Sequence, residues 1–235
     1  MGERIRIGVS ACLLGQPVRF DGSHKHDRYL TGTLAEYLEF VPVCPEVEAG
    51  FPVPRESMRL VGDPDRPRLV TTRSGVDHTE RMAAWAEKRV RELEAENLCG
   101  FIFKSDSPSS GLERVKVYND KGMAEKKGVG IFARAFTRHF PLLPVEEEGR
   151  LNDAKLRETF IEQIFTLKRW REMLALPAAM KHLVDFHARH KLLVLAHSPV
   201  HARLMGKLVA DGKRRPYREL CADYERQLLE ALRMK

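Results

Sequence analysis

The segment FIFKSDSPSSGLERVKVY, residues 101–118, carries the clearest strand–turn–strand pattern in the chain. An apolar run, Phe101–Phe103, ends at Lys104, and serine, proline and glycine separate it from a second strand-like run, Val115–Tyr118. Short runs of β-branched and aromatic residues bounded by turn residues are typical of buried strands. A buried strand that opens into a hydroxyl-rich turn can place reactive groups at the carboxyl edge of a sheet. We therefore expect the serine turn to contribute to a functional site.

Two other predicted strands end in reactive residues. Ile5–Ser10 leads into Cys12, and Phe40–Val43 leads into Cys44, with Glu46 two residues further on. Because the carboxyl ends of parallel strands meet at one edge of a sheet, we expect the two thiols, the carboxylate and the serines to converge there.

The order of predicted elements indicates an α/β domain followed by an all-α domain. Strands alternate with helices over residues 1–148, which predicts an open, mostly parallel sheet with flanking helices. Residues 149–235 contain only helical patterns, and the last runs to Lys235 without a capping signal, so we expect this domain to be incomplete. The predicted strands are 5–9, 40–43, 59–61, 69–72, 101–104, 115–118 and 142–145, and the predicted helices are 31–39, 77–96, 130–139, 152–174, 178–196, 199–211 and 217–233.

The composition is that of a globular protein, with 43% hydrophobic residues and neither a signal-peptide pattern nor an apolar run of the roughly 20 residues that a membrane span requires. We therefore expect a cytoplasmic location and no membrane partner. The net charge of +7 lies in the helical domain, because residues from 150 onward contain 18 lysines and arginines against 10 acidic residues. This excess can attract RNA, with Lys213, Arg214 and Arg215 as its densest part; an ordinary solvated helix face explains it equally well.

The four cysteines fall into two classes by position. Cys12 and Cys44 directly follow strands, where a thiolate can act as a nucleophile or as a ligand for a soft metal. Cys99 precedes the strand at Phe101, so a rise of about 3.3 Å per residue places it roughly 15–20 Å from the serine turn, at the opposite edge. We interpret Cys99, and Cys221 within the last helix, as structural.

The remaining polar residues leave alternatives open. Glu46 lies among prolines and glycines, where it can shuttle protons beside a metal centre or serve only as a loop carboxylate. The four serines of the turn can bind an anion or merely form the turn. No glycine-rich phosphate loop supports nucleotide-dependent chemistry. Four histidines recur at helical spacing: His187, His190, His197 and His201. For these residues we favour packing or contact with RNA phosphates over a metal site.

Three motifs resemble the bacterial thiouracil desulfurase family over residues 5 to about 145. They are SACLLG…RFDG (10–22), VCPE…GFPVPR (43–55) and FKSDSPSSG (103–111). From Lys181 the helices, with HKLLVLAHSP (190–199) and YRELCADYE (217–225), resemble the first part of the helical domain fused to this family in bacterial tRNA 4-thiouridine desulfidases. Family members hold a 4Fe–4S cluster on three cysteines and leave one iron open to accept sulfur from a thiocarbonyl. The resemblance implies Cys12 and Cys44 as ligands, Glu46 as acid–base and Ser107 as the active-site serine.

The chain departs from the family pattern at the third ligand. Family members usually read SPSC-G where this chain has Ser110, and many carry a cysteine where it has Val18. The resemblance therefore places Ser110 in the ligand position, although oxygen is a harder donor than sulfur. Three alternatives follow: the cluster is held weakly, a rearrangement brings Cys99 to it, or this member has lost the chemistry.

The resemblance implies a non-redox iron–sulfur desulfidase that removes sulfur from thiolated uracil, with 4-thiouridine in tRNA as the expected substrate. In this hypothesis the first domain supplies the site and the basic helices hold the tRNA backbone. The alternative is a catalytically impaired module that binds a nucleoside or RNA without a complete cluster.

Overall fold

The structure, a computed structural model, describes residues 4–234 apart from the side chain of Lys213. Over these residues the chain divides into two compact units, with the boundary after Ala154. The strands lie in the first unit and are β1 (Ile5–Ser10), β2 (Leu38–Val43), β3 (Met58–Val61), β4 (Arg68–Thr71), β5 (Phe101–Phe103), β6 (Val115–Tyr118), β7 (Ala124–Gly128) and β8 (Val145–Glu147). The α-helices are α1 (Pro45–Glu48), α2 (Thr79–Glu92), α3 (Ile131–His139), α4 (Ala154–Leu174), α5 (Met180–His197), α6 (Pro199–Ala210) and α7 (Tyr217–Arg233).

Four parallel strands form the first sheet, in the order β2–β1–β5–β8. This confirms the predicted α/β class with a parallel sheet and flanking helices. Ile7 and Val9 of β1 are fully buried, and the ring of Phe101 packs on Phe136 of α3 with their centroids 4.8 Å apart. Because the strand order reverses beside β1, the carboxyl ends of β1, β2 and β5 border one crevice, where open α/β sheets bind ligands.

The second sheet is mixed, in the order β4–β3–β6–β7. Its antiparallel β3–β4 hairpin joins two of the predicted strands, 59–61 and 69–72. β6 pairs in parallel with β3 and so belongs to this sheet and not to the one that contains β5. The sheet buries Leu60, Leu69 and Val117 in a core of its own with Met82 of α2.

Two predicted elements of the first unit are corrected by the structure. The predicted strand 142–145 is β8, which runs Val145–Glu147, because Leu143 belongs to a turn in which its N–H donates to the carbonyl of Phe140 at 3.2 Å, and Pro144 lacks an N–H. The predicted helix 31–39 is a π turn at Tyr29–Thr33 followed by a 3₁₀ turn at Leu34–Glu36, since β2 begins at Leu38 in register with Ile5.

The second unit is all-α and has an aromatic core. Trp170 of α4 is stacked on Tyr224 of α7 at 5.0 Å and meets Phe186 of α5 edge-on at 5.1 Å. Such ring pairs add stability beyond the area that they bury. Helix α7 coincides with the predicted helix 217–233. Among the described residues no helix is long and apolar enough to cross a membrane.

Candidate functional site

A cavity of about 500 Å³ lies at the carboxyl ends of β1, β2 and β5. The structure brings together there all five residues predicted for the catalytic and ligand positions: Cys12, Cys44, Glu46, Ser107 and Ser110. The convergence follows from the parallel sheet, because each of these residues comes shortly after a strand end. The role of each residue remains a prediction.

The two thiols are held by short turns that directly follow their strands. Cys12 lies in a 3₁₀ turn after β1, and Cys44 is the N-cap of α1, whose first residue is proline. Burial raises the pKa of Cys12 to about 11 and that of Cys44 to about 12, the latter with a contribution from the Glu46 carboxylate. Both thiols are therefore protonated at neutral pH, and a metal centre that bound them would release protons.

The carboxylate of Glu46 has a separate environment at each oxygen. Its Oε1 accepts a 2.6 Å hydrogen bond from the hydroxyl of Ser109, a residue with no exposed surface. Its Oε2 lies 3.6 Å from the Cys44 sulfur and 3.8 Å from the guanidinium of Arg55, whose side chain is 8% exposed. The sequence includes Ser109 among the four turn serines that can bind an anion but predicts no contact between it and Glu46, and it does not single out Arg55, although both residues belong to the motifs quoted above.

The serine loop, residues 104–113, is built on the start of α3. The N–H of Phe132 donates to the carbonyl of Ser109 at 2.9 Å, and the N–H of Gly130 donates to the carbonyl of Gly111 at 2.8 Å. A Cβ at position 130 would lie 2.5 Å from the Ser109 carbonyl oxygen, so this approach requires glycine. The loop backbone is thus held without any ligand.

Two glutamates hold the ends of the same loop: Glu147 is the last residue of β8, and Glu148 follows it. Glu148 accepts the backbone N–H of Ser105 at 2.7 Å and pairs with the ammonium of Lys104. Glu147 accepts the backbone N–H of Leu112 at 2.7 Å, and burial raises its pKa. Because the hydroxyls of Ser105 and Ser109 both donate to carboxylates, the loop does not present them to an anion.

The third ligand position carries no thiol. Ser110 is buried and lines the cavity together with Val18, so both positions where the family carries cysteine face the same space. The backbone N–H of Cys99 donates to the carbonyl of Arg6, near the start of β1 and thus at the opposite edge, as the strand direction predicts. Among residues 4–234 no three or more His, Cys, Asp and Glu side chains form a group that could hold a metal ion.

A second, more open cavity of about 700 Å³ adjoins the first. Lys25 and Lys104 line both. The remaining lining residues come mostly from the loop after Cys12 and are His24, His26, Asp27, Arg28 and Glu148. Lys104 and Glu148 pair with each other, so Lys25, Arg28 and Asp27 are the other charged groups beside the cavity that holds the thiols.

The predicted RNA contacts lie in the second unit. Arg214 is exposed, whereas Arg215 forms a 2.6 Å ion pair with Asp223. The side chain of Lys213 lies outside the described residues, as does Lys235 at the predicted incomplete end.

Cys221 and four histidines of the second unit, for which the sequence favours a structural role or packing, are buried or contact other groups of the same chain. Cys221 is buried. His190 is buried, and its Nδ1 lies 2.8 Å from the carbonyl of Phe186. The other histidines also contact protein groups: His187 the Tyr224 hydroxyl, His197 the Glu162 carboxylate and His201 the Ser198 hydroxyl.

Two known families match parts of this chain. The family described as 2-thiouracil desulfurase matches residues 7–148, and a protein family of unknown function (DUF1722) matches residues 191–235. The uncharacterized protein YbbK of Bacillus subtilis (strain 168) is 34% identical over 110 residues, which cover 45% of this chain and 72% of YbbK. The solved structure of the [4Fe-4S]-dependent thiouracil desulfidase TudS is 32% identical, with a TM-score of 0.53 over 66% of this chain and 99% of TudS.

Proposed function

The chain belongs to the 2-thiouracil desulfurase family, and on that premise we propose that it is a non-redox desulfidase that replaces the sulfur of a thiolated uracil with oxygen. The observation that carries this proposal is the convergence of Cys12, Cys44, Glu46 and Ser110 on one cavity at a sheet edge. A small aromatic thiocarbonyl compound is of the size that such a cavity admits.

We propose a 4Fe–4S cluster as the cofactor, by analogy with TudS. The donor set fits the cluster at two positions, the buried thiols of Cys12 and Cys44, and Ser110 would be the third ligand. When bound, the cluster would supply a Lewis-acidic iron and a soft acceptor for sulfur.

The chain's own residues would provide proton transfer and charge. Glu46 lines the cavity and would be the final acceptor of the proton that a cavity water loses as the water oxygen bonds to the ring carbon that carries sulfur. Arg55 and Lys104 line the same cavity and place positive charge near the negative charge that develops during this attack.

We further propose 4-thiouridine in tRNA as the substrate and residues 149–235 as the RNA-contacting domain. A nucleotide extends beyond its base, and the adjoining cavity offers the cations of Lys25 and Arg28 to its phosphate. The net charge of +8 from residue 150 onward would supply further backbone contacts.

The direct test is to purify the protein without oxygen, reconstitute the cluster, and measure sulfide release from 2-thiouracil, 4-thiouracil, 4-thiouridine and tRNA that contains 4-thiouridine. Turnover of any of these supports the desulfidase. Turnover of the tRNA at lower concentration than the free base supports the finer assignment, and the reverse order contradicts it.

The second candidate is a module that binds modified nucleosides or RNA without turnover. It is favoured by one observation, the hydroxyl of Ser110 where the family has a thiol. Iron and acid-labile sulfide analysis separates the two: binding of 4-thiouridine by protein that holds neither would support the module.

A further inference from the structure

We propose that Ser109 is a positioning residue that joins Ser107 and Glu46 into one proton-transfer unit. The inference rests on the proposed desulfidase function and deepens it, since it assigns a role to a buried hydroxyl that lies behind the cavity wall. Ser107 and Glu46 line the cavity, whereas Ser109 is completely buried.

The three side chains form a continuous chain of hydrogen bonds. The hydroxyl of Ser109 lies 2.6 Å from Oε1 of Glu46 and 3.0 Å from the hydroxyl of Ser107. Both distances are within the range of O–H···O hydrogen bonds, and the shorter is typical of a charge-assisted bond to a carboxylate. Ser109 is therefore the bridge between two groups that are 61 positions apart in sequence.

The surrounding contacts fix the direction of these bonds. Ser109 has one hydroxyl hydrogen, which it donates to Glu46. Its bond with Ser107 must then be accepted by Ser109, so Ser107 is the donor. The Ser107 oxygen also accepts the backbone N–H of Ser110 at 3.1 Å, which leaves its second lone pair available to a water molecule in the cavity.

This polarity allows a balanced proton transfer. A cavity water gives a proton to Ser107, Ser107 passes its own to Ser109, and Ser109 passes its own to Glu46, so both serines end neutral. The water oxygen uses the released electron pair to bond to the ring carbon, and the π pair of the C=S bond moves onto sulfur. Glu46 returns the first proton to that sulfur. The remaining carbon–sulfur bond then breaks with its pair on sulfur, while the hydroxyl group on carbon gives its proton through Ser107, Ser109 and Glu46 to the sulfur and re-forms the carbonyl. Thiocarbonyl and water thus become carbonyl and hydrogen sulfide without an oxidant or reductant.

The position of Ser109 is set by backbone contacts that do not depend on its hydroxyl. Its carbonyl accepts the N–H groups of Phe132 and Ala133 at the start of α3. Replacement of the hydroxyl by hydrogen should therefore interrupt the hydrogen-bond chain and leave the loop in place.

The test compares Ser107→Ala, Ser109→Ala and the double variant, each reconstituted with the cluster, in steady-state assays on free thiouracil. We expect Ser109→Ala to lower kcat by roughly 10²-fold with little change in KM, because the hydroxyl affects proton transfer and not substrate contact. The double variant should be no worse than the poorer single variant within about threefold, since both hydroxyls serve one pathway. Iron content and the visible spectrum should match the parent, and the iron-free protein should still unfold in one cooperative thermal transition.

A matched control is Ser74→Ala, which also removes a serine-to-glutamate hydrogen bond, to Glu56 at 2.9 Å, outside the cavity. It should retain the parental kcat. If Ser109→Ala fails to fold, Ser109→Thr and Ser109→Val form a pair of nearly equal shape that differs by the hydroxyl, and only the threonine variant should turn over.

Three results would overturn the inference: parental kcat in Ser109→Ala, losses that add in the double variant, or equal activity of the threonine and valine variants. Absence of turnover in the parent protein with every thiolated substrate overturns the proposed function first and the proton-transfer role with it. An assay of the parent protein alone therefore distinguishes failure of the desulfidase proposal from failure of the role proposed for Ser109.

Discussion

Ser105 and Glu148 lie 43 residues apart, and the Glu148 carboxylate accepts both the backbone N–H of Ser105, at 2.7 Å, and its hydroxyl, at 2.8 Å. The same carboxylate pairs with the ammonium of Lys104. One side chain from the end of the sheet therefore fixes the first two residues of the serine loop.

Loss of this carboxylate should loosen the loop. In Glu148→Ala, the Ser105 N–H loses its acceptor and the partly buried Lys104 ammonium loses its carboxylate partner and keeps only the Ser105 oxygens, which costs about 1–3 kcal/mol of stability. Urea unfolding should show this loss, and hydrogen exchange of residues 104–113 should become faster. Glu125→Ala removes an exposed pair with Lys127 and should change stability by less than about 0.5 kcal/mol. Equal effects of the two variants would show that Glu148 does not hold the loop.

Ser110→Cys should raise the iron and sulfide content toward one full cluster per chain, because a third thiolate replaces a harder and far less acidic hydroxyl. Val18→Cys places a thiol at the other position that lines the cavity and is the matched comparison. Cys99→Ala should leave iron content unchanged, since Cys99 lies at the opposite edge. A large loss of iron in Cys99→Ala would contradict the structure.

Glu46→Gln should abolish most turnover while it preserves the cluster, because glutamine keeps the shape but cannot take up a proton. A loss of roughly 10²- to 10⁴-fold in kcat is expected, with an unchanged visible spectrum. Glu80→Gln, on the exposed first turn of α2, serves as the control. Parental activity in Glu46→Gln would remove this carboxylate from the mechanism.

Replacement of Lys213, Arg214 and Arg215 by alanine should weaken tRNA binding and leave turnover of free thiouracil unchanged. The slope of log K against log salt should fall by about two units and not three, since Arg215 is already paired with Asp223. The matched control removes the same charge from the first unit by replacement of three exposed lysines, Lys121, Lys126 and Lys127. Equal slopes for the two triple variants would assign the basic helices a structural role.

The helical unit should lose stability in mild acid. Burial lowers the pKa of His190, and the nearby Arg169 and Arg189 lower it further, so protonation favours the unfolded state. This part of the stability is fully present above the ordinary value of 6.5 and is lost as the pH falls from there through the lowered pKa. Thermal unfolding between about pH 5 and 8 should show a smaller pH dependence for His190→Gln than for the parent or for the partly exposed His182→Gln. Identical dependence in all three would exclude His190.

The parts of the fold that the sequence predicts are those with a strong local pattern. β1 and β5 are short apolar runs that end in turn residues, and α7 has a regular apolar stripe. β7, Ala124–Gly128, has no such pattern, because it is polar and mostly exposed and becomes a strand only by pairing with β6. The apolar–polar pattern of a sequence does not predict a strand that forms because of its pairing partner and not because of its own side chains.

In the candidate site, too, the features with a local sequence pattern could be predicted and those that depend on distant contacts could not. Cys12, Cys44 and Ser110 could be proposed from strand ends and motifs, which are local. The contact between Glu46 and Ser109 joins residues 63 positions apart, and that between Glu147 and Leu112 joins residues 35 apart. Such pairs depend on how the sheet brings its edges together, so one sequence does not reveal them.

The serine loop is held by Glu147, Glu148 and the start of α3, all of them parts of the chain itself. A zinc finger, by contrast, needs its metal in order to fold. We therefore expect this protein to fold first without its cluster and to receive the cluster afterwards. Under iron starvation the protein should then remain folded and able to bind a cluster, and it should not unfold and be degraded by proteases.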